Sequence, residues 1–135
     1  TDQMISAVGQ GAIGIEIRED DAFMLDVCAR ISDPDTMTCV AAERTVMRML
    51  DGGRQVPIGA FARMTDAGDL IEIDAVVASL DGSEVLKVHA TGAATEPEAL
   101  GERVVAALKS QGADDVLARA RAEAEASGPG VEVIS

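Results

Sequence analysis

The feature that most constrains the fold is a block of three strand-like runs in the middle of the chain. The runs cover residues 58–64, 70–80 and 84–90, and the second alternates apolar and acidic residues with a period of two. Between the second and third runs lies Asp81-Gly82, a dipeptide that favours a primed hairpin turn. The block therefore predicts a three-stranded antiparallel meander with one face turned to the core.

Helical periodicity flanks this block, with two helices expected before it and two after it. The first ends at about residue 31, and Pro34 begins the second, where its missing N–H costs nothing. The third stops at Gly112, and Asp114 caps the fourth. Helices on one side of a small antiparallel sheet make an α+β domain. We therefore expect a small three-stranded antiparallel sheet with helices packed on one face.

The second helix has a broad apolar face and a charged one. Glu43, Arg44 and Arg48 are expected to point outward as a solvated surface. The apolar face consists of Cys39, Val40, Val46, Met47 and Leu50. The core on which it packs must be aliphatic, because Phe23 and Phe61 are the only aromatic residues.

The beginning of the chain combines glycines with a short alternating run. Isoleucines at 13, 15 and 17 alternate with Glu16 and Arg18, which predicts a strand that begins after Gly14 and runs to Arg18. Gly9, Gly11 and Gly14 have the G-x-G-x-x-G spacing of a dinucleotide-binding loop. Such a loop follows a strand and opens a helix, and the sequence favours neither here.

Length and charge exclude several classes of function. A chain of 135 residues is long enough for one domain with a real core. The formal net charge of −13 argues against nucleic acid or an anionic membrane as a partner. No apolar run approaches the length of a membrane span.

The residue types that most often carry chemistry are sparse. Cys28 and Cys39 both fall in helical runs, where a cysteine is usually a small buried hydrophobe, although a disulfide between them stays open. His89, the single histidine, has no Cys, Asp or Glu at metal-ligand spacing, so no metal site is expected.

A glycine-rich loop joins the second helix to the sheet. Gly52 and Gly53 end the helix, and Pro57 fixes the backbone angle that starts the first strand. From the residues alone, an ordinary helix-to-strand connector is the favoured interpretation.

Three stretches in the same order resemble the C-terminal part of porphobilinogen deaminase, also called hydroxymethylbilane synthase. They are V-G-Q-G-A-I-G-I-E-I-R at 8–18, V-A-A-E-R at 40–44 and L-D-G-G-R-Q-V-P-I-G at 50–59. In that family the third stretch carries a cysteine that holds the dipyrromethane cofactor by a thioether. The resemblance implies an open-faced sheet with helices on one side, and an interdomain hinge at Gly9, Gly11 and Gly14.

Arg54 occupies the position of that cysteine, within a loop that otherwise keeps Gly52, Gly53, Gln55 and Pro57. A thioether needs a thiolate nucleophile, and a guanidinium cannot replace it. We therefore expect no cofactor at this position and no catalytic residue in this chain. The resemblance places the substrate-handling arginines and the catalytic aspartate in two N-terminal domains that are absent here.

Three interpretations of function remain open. In the first, the chain is a structural subunit of a larger assembly and is inactive by itself. In the second, it is a fragment or inactivated variant of a hydroxymethylbilane synthase of tetrapyrrole synthesis. In the third, it is a module whose Arg54 binds a carboxylate or tetrapyrrole without a covalent bond. Each implies protein partners or acidic ligands in the cytoplasm or a plastid stroma. The expected organisation is a hinge segment at 1–18, a deaminase C-terminal-like domain at 19–126 and an extended tail at 127–135.

Overall fold

The computed structural model describes residues 4–50 and 56–127. Its elements, in chain order, are α1 (Ala22–Ile31), α2 (Pro34–Met49), β1 (Ile58–Met64), β2 (Leu70–Ala78), β3 (Val85–Ala93), α3 (Pro97–Ser110) and α4 (Ala113–Ser127). The predicted α+β class is confirmed. None of the helices in the described ranges is both long enough and apolar enough to cross a membrane.

The sheet is an antiparallel meander with the strand order β1-β2-β3, as predicted. Ala75 of β2 lies opposite Ala60 of β1 and Val88 of β3, so these positions share one face of the sheet. On that face Ile71 and Ile73 are fully buried. The other face carries charged and polar side chains, and the alternation in β2 therefore reports the two faces correctly.

The turn between β2 and β3 differs from the expected primed hairpin. Its closing hydrogen bond runs from the Gly82 N–H to the Ser79 carbonyl at 3.1 Å, so Asp81 and Gly82 are the third and fourth residues of the turn. Asp81 accepts hydrogen bonds from the Ser79 hydroxyl at 2.6 Å and from the Ser83 N–H at 3.0 Å. These local bonds favour the longer connection.

The helices cover the apolar face of the sheet. α2 packs on β1, α3 on β3 and α4 on β2, while α2 and α3 contact each other. At that helix–helix contact a Cβ added to Gly101 would lie 2.8 Å from Thr45 Cβ and 2.9 Å from the Ala42 carbonyl oxygen. The close approach of α2 and α3 therefore requires a residue without a side chain at position 101.

The core is aliphatic, as expected from the composition. Phe23 is 74% exposed and Phe61 only half-buried, so neither aromatic ring lies in it. Its largest fully buried side chains are Ile71, Ile73, Leu100, Leu108, Leu117, Val46, Val77, Val104, Val105 and Val116.

The predicted strand after Gly14 is wrong. Residues 13–18 have no regular secondary structure and pair with no strand of the described chain, and Ile13 is 95% exposed. An extended segment becomes a strand only when a neighbour accepts its backbone hydrogen bonds. Alternation in the sequence reports the tendency to extend and not the presence of that neighbour.

The helix ends follow the capping rules in part. Asp21 caps α1 by accepting from the Met24 N–H at 3.0 Å, and Asp33 caps α2 ahead of Pro34 by accepting from the Thr36 N–H at 2.7 Å. The expected cap at Asp114 is wrong, because α4 already begins at Ala113.

Candidate functional site

Most of the glycine-rich loop lies outside the described residues. Gly52, Gly53, Arg54 and Gln55 are among these positions, so the predictions made for them stay predictions. Pro57 is described and directly precedes β1, and its carbonyl accepts a hydrogen bond from the Ala78 N–H at 3.1 Å. The end of the loop is thereby joined to the sheet.

The other end of the loop starts from a buried residue. Leu50, the C-cap of α2, is 2% exposed, and its N–H donates to the Val46 carbonyl at 3.1 Å. The guanidinium Nη2 of Arg121 on α4 lies 2.9 Å from the Leu50 carbonyl oxygen. Nothing in the sequence indicated this contact between residues so far apart.

Glu43 does not point into solvent, contrary to expectation. It is 5% exposed, and its two carboxylate oxygens accept from different parts of the chain. Oε1 accepts from the Ala62 N–H of β1 at 2.8 Å, and Oε2 accepts from the Gly9 N–H at 2.7 Å. Arg44 and Arg48 are exposed, as predicted.

The edge position of β1 explains why Glu43 is buried. One side of β1 pairs with β2, which leaves alternate N–H groups on the other side without a strand partner. Cys39 lies one helical turn before Glu43 on the same face of α2, and this face is turned to that edge. In the sequence, the position of Glu43 four residues after the apolar Cys39 indicated that the Glu43 side chain would be buried.

Cys39 confirms the expectation of a buried cysteine, whereas Cys28 is only half-buried on α1. Burial raises the pKa of the Cys39 thiol, the negative charge of Glu43 raises it further, and the nearby Met64 N–H offsets only part of the shift. A thiol with a raised pKa is a poor nucleophile at neutral pH. Both cysteines are free, so no disulfide joins them.

A cavity of about 310 Å³ lies along the same edge of the sheet, lined in part by Gly9, Asp35, Cys39 and Glu43. Its α2 residues lie between Asp35 and Glu43. Glu43 precedes Leu50, the C-cap of α2, by seven residues, which corresponds to about 10 Å along the helix.

The glycines at the start of the chain form a turn and not a nucleotide loop. The Gln10 N–H donates to the Ala7 carbonyl and the Ala12 N–H to the Gly9 carbonyl, both at 3.1 Å. The next helix, α1, begins only at Ala22. The backbone donor of Gly9 is bound by Glu43, so this turn is fastened to α2 and β1.

The exposed face of the sheet carries a cluster of charges. Arg63 lies 2.7 Å from Glu72 and 3.1 Å from Asp74, and His89 Nδ1 lies 2.8 Å from Asp74 Oδ1. Burial raises the pKa of the Asp74 carboxyl, but its hydrogen bonds with His89 and Arg63 outweigh burial and leave it below the ordinary value. Nowhere in the described ranges are His, Cys, Asp and Glu gathered as metal ligands.

The chain is similar to known proteins over most of its length. Residues 37–110 match the family described as "Porphobilinogen deaminase, C-terminal domain". The chain is 49% identical over 120 residues to the porphobilinogen deaminase of Desulforudis audaxviator, which covers 89% of the chain and 38% of that relative. It is 47% identical over 117 residues to that of Methylobacillus flagellatus, covering 87% and 37% respectively. It is 40% identical over 116 residues to that of Staphylococcus epidermidis, covering 86% and 37% respectively. The chain thus spans less than two fifths of the length of these relatives.

Proposed function

This chain belongs to the porphobilinogen deaminase family, and we propose that it serves as the C-terminal domain of a hydroxymethylbilane synthase. In this proposal it docks on the N-terminal portion that its relatives contain and this sequence does not. An active hydroxymethylbilane synthase acts on porphobilinogen in tetrapyrrole synthesis, and in this proposal the chain is the corresponding domain of an inactivated variant. The substrate-handling groups belong to that N-terminal portion.

The observation that carries the proposal is the distribution of exposed apolar side chains. No residue of α1 is buried, although the helix is strongly apolar. Leaving large apolar side chains in water is unfavourable, and such a surface marks a contact site. We propose that the following exposed side chains contribute to one docking region, which we call the N-terminal apolar surface: Ile13, Ile15, Phe23, Leu25, Ile31 and Met37.

The occupant of this surface follows from the length of the chain. More than three fifths of each relative lies outside the matched region. Because residues 37–110 match a C-terminal domain, we propose that the unmatched portion precedes the matched part in these relatives and adjoins the N-terminal apolar surface. The missing portion is therefore the partner that we propose.

Docking is tested by co-expressing this chain with the N-terminal portion of the Desulforudis audaxviator enzyme. We expect the two polypeptides to elute together in size-exclusion chromatography. Phe23→Asp is expected to weaken the complex by about tenfold, because it places a charge in the contact. Leu80→Asp is the matched control, since Leu80 is an exposed apolar residue of the β2–β3 turn. Separate elution of the unmodified chains would contradict docking.

The chemical part of the proposal concerns Arg54. A dipyrromethane thioether needs a cysteine sulfur, and Arg54 supplies none. Cys39 is 8% exposed, carries a raised pKa and lies in the first half of α2, so it is a poor substitute. Cys28 lies on α1, before α2 begins. We propose that the chain holds no covalent cofactor and that the assembled protein is inactive.

This part has its own test in the same complex. The complex with Arg54 is expected to consume no porphobilinogen and to show no adduct in the intact mass of this chain. Arg54→Cys is expected to gain the adduct and measurable consumption in the complex, but no turnover in the isolated chain. An adduct on the unmodified chain would refute the proposal about Arg54 and leave the docking result untouched.

Arg54 also favours a second candidate, a structural subunit that keeps the fold without the chemistry. In that case the N-terminal apolar surface contacts other proteins of a larger assembly. Native mass spectrometry of the chain purified from its source distinguishes the two. Co-purification with a deaminase N-terminal portion supports the enzyme domain, and a large complex without pyrrole adducts supports the structural subunit.

A further inference from the structure

We infer that the outer edge of β3, the side not paired with β2, is a self-pairing surface that side chains of α3 and its C-cap keep closed. Its occupant, once it is opened, is β3 of a second copy of this chain. Arg103 Nη2 donates to the Thr91 carbonyl oxygen at 2.8 Å, and Nε2 of the C-cap Gln111 donates to the Lys87 carbonyl oxygen at 3.4 Å. A Cβ at Gly92 would lie 2.8 Å from Arg103 Nη2, so the glycine leaves room for this cover.

A hydrogen bond at the end of β3 identifies the residues that face the outer edge. The Ala94 N–H, directly after β3, donates to the Asp69 carbonyl at 2.9 Å, so the even-numbered residues bond toward β2. Because the direction of backbone bonds alternates along a strand, Lys87, His89 and Thr91 direct their N–H and carbonyl groups to the outer edge. No strand of the described chain pairs with that edge, and no described group accepts from these three N–H groups.

The two edges of the sheet are covered in opposite ways. At the edge of β1, side chains of α2 bind the backbone donors: Glu43 accepts from the Ala62 N–H at 2.8 Å, and the Met64 N–H lies close to the Cys39 thiol. At the edge of β3, the side chains bind carbonyl oxygens and leave the N–H groups open. A row of open N–H groups is a template for the addition of a strand.

The register of β3 with itself shows why a second copy fits and why the side-chain cover prevents it. Two β3 strands related by a twofold axis at His89 run antiparallel, with Lys87 of each copy opposite Thr91 of the other. Each Lys87 N–H then requires a Thr91 carbonyl, which Arg103 occupies. Each Thr91 N–H requires a Lys87 carbonyl, which Gln111 occupies. In the unmodified chain only the central His89 pair is free to bond, and this is too little to hold two copies together.

The test removes the cover and measures self-association of the whole chain by sedimentation-velocity ultracentrifugation. The main variant combines Arg103→Ala with Gln111→Ala, and Arg103→Ala is also measured alone. Lys109→Ala is the matched control, since Lys109 is a cation of α3 that pairs with Asp114 at 3.3 Å. Thr91→Pro, added to the double variant, removes an outward N–H at a position where an edge strand tolerates proline. Circular dichroism verifies that each variant is folded.

We expect the double variant to associate about tenfold more tightly than the unmodified chain, and Arg103→Ala alone to show a smaller increase in the same direction. Lys109→Ala should change the dissociation constant by less than about twofold. Each of these variants loses a positive charge from a chain of net charge −13, so the change in charge alone would weaken association. Thr91→Pro is expected to return association to the level of the unmodified chain.

Two results would overturn the inference. The first is equal association of the unmodified chain, the double variant and Arg103→Ala, because an uncovered edge would then not pair. The second is association that Thr91→Pro leaves unchanged, because the contact would then use another surface. Neither result depends on deaminase activity or on docking of an N-terminal portion.

Discussion

At the scale of single residues, Glu43 shows how a charged side chain becomes part of the framework. Burying a carboxylate is costly unless hydrogen bonds replace its hydration. Here the edge of β1 supplies one N–H, from Ala62, and the N-terminal turn supplies another, from Gly9. Glu43 therefore satisfies two backbone donors and joins three parts of the chain at one point.

Glu43→Gln is expected to destabilise the domain by about 1–3 kcal/mol. Glutamine has only one acceptor oxygen, so its amide N–H₂ must face one of the two backbone donors, and that donor loses its partner. Urea unfolding followed by circular dichroism measures the change in the free energy of unfolding. Arg44→Gln, at the exposed neighbouring position, is the control and should stay within about 0.5 kcal/mol. Equal stability of the two variants would show that Glu43 is not a structural link.

The sequence predicted some residue-scale features and not others. Asp33 and Pro34 were predictable, because a cap and its first helical residue are local in sequence. The hydrogen-bond partners of Glu43 and Arg121 were not, because they are backbone groups brought near only by the tertiary fold; for Glu43 the spacing of four residues from Cys39 indicated burial but not its partners. Glutamate and arginine on a helix are usually solvated, and composition offers no reason to expect otherwise.

At the scale of elements, the contact between α2 and α3 depends on the absence of one side chain. Gly101 faces Thr45 and the carbonyl of Ala42, with no room for a Cβ between the helices. Glycine in a helix interior lowers helix propensity, so its presence here has a packing reason. The close contact brings the helices together over the sheet.

Gly101→Ala is expected to destabilise the domain by about 1–3 kcal/mol, although alanine favours the helix. The added methyl group would lie 2.8 Å from Thr45 Cβ and 2.9 Å from the Ala42 oxygen, so the helices must separate. Thermal and urea unfolding measure the loss. Glu102→Ala, exposed on the same helix, is the control and should change stability by less than about 0.5 kcal/mol. A stabilised Gly101→Ala variant would mean that the contact is looser than described.

Element boundaries were most predictable where alternation was strong. The observed bounds of β1 equal the predicted ones, and those of β2 differ from the prediction only at the end of the strand. In these strands the side chains that face the core and those that face solvent differ in polarity, so the alternation is easy to read. Residues 13–18 alternate as well but form no strand, since no strand of the described chain lies beside them. The period of the alternation predicts which side chains share an apolar face. Whether the segment forms a strand depends on a second strand lying beside it.

At the scale of the whole molecule, burial is divided unevenly along the chain. The sheet with α2, its C-cap Leu50, α3 and α4 contains every residue of the hydrophobic core in the described ranges, whereas α1 contributes none. The segment before α2 is nevertheless fastened near its start, by the bond from Gly9 to Glu43 and by Val8, which packs against the core. We therefore expect docking of the proposed partner to change the surroundings of the residues between Gly9 and α2 more than those of the rest of the chain.

Proteolysis of the free and docked chain tests this division. The glycine-rich beginning of the chain predicts that the first dozen or so residues are cut first. The bond at Gly9 shifts the expected site to Arg18, which is exposed in the segment before α1 that has no regular secondary structure. Trypsin should cleave the free chain after Arg18 well before it cleaves after Arg63 in β1, because cleavage in a strand requires the sheet to open. In the complex with a relative's N-terminal portion, cleavage after Arg18 should slow by about tenfold while cleavage after Arg63 changes little. Intact mass spectrometry of timed samples identifies both cuts. If Arg18 is cleaved equally fast in the free and docked chain, the N-terminal apolar surface is not the docking site, since a covered surface excludes the protease.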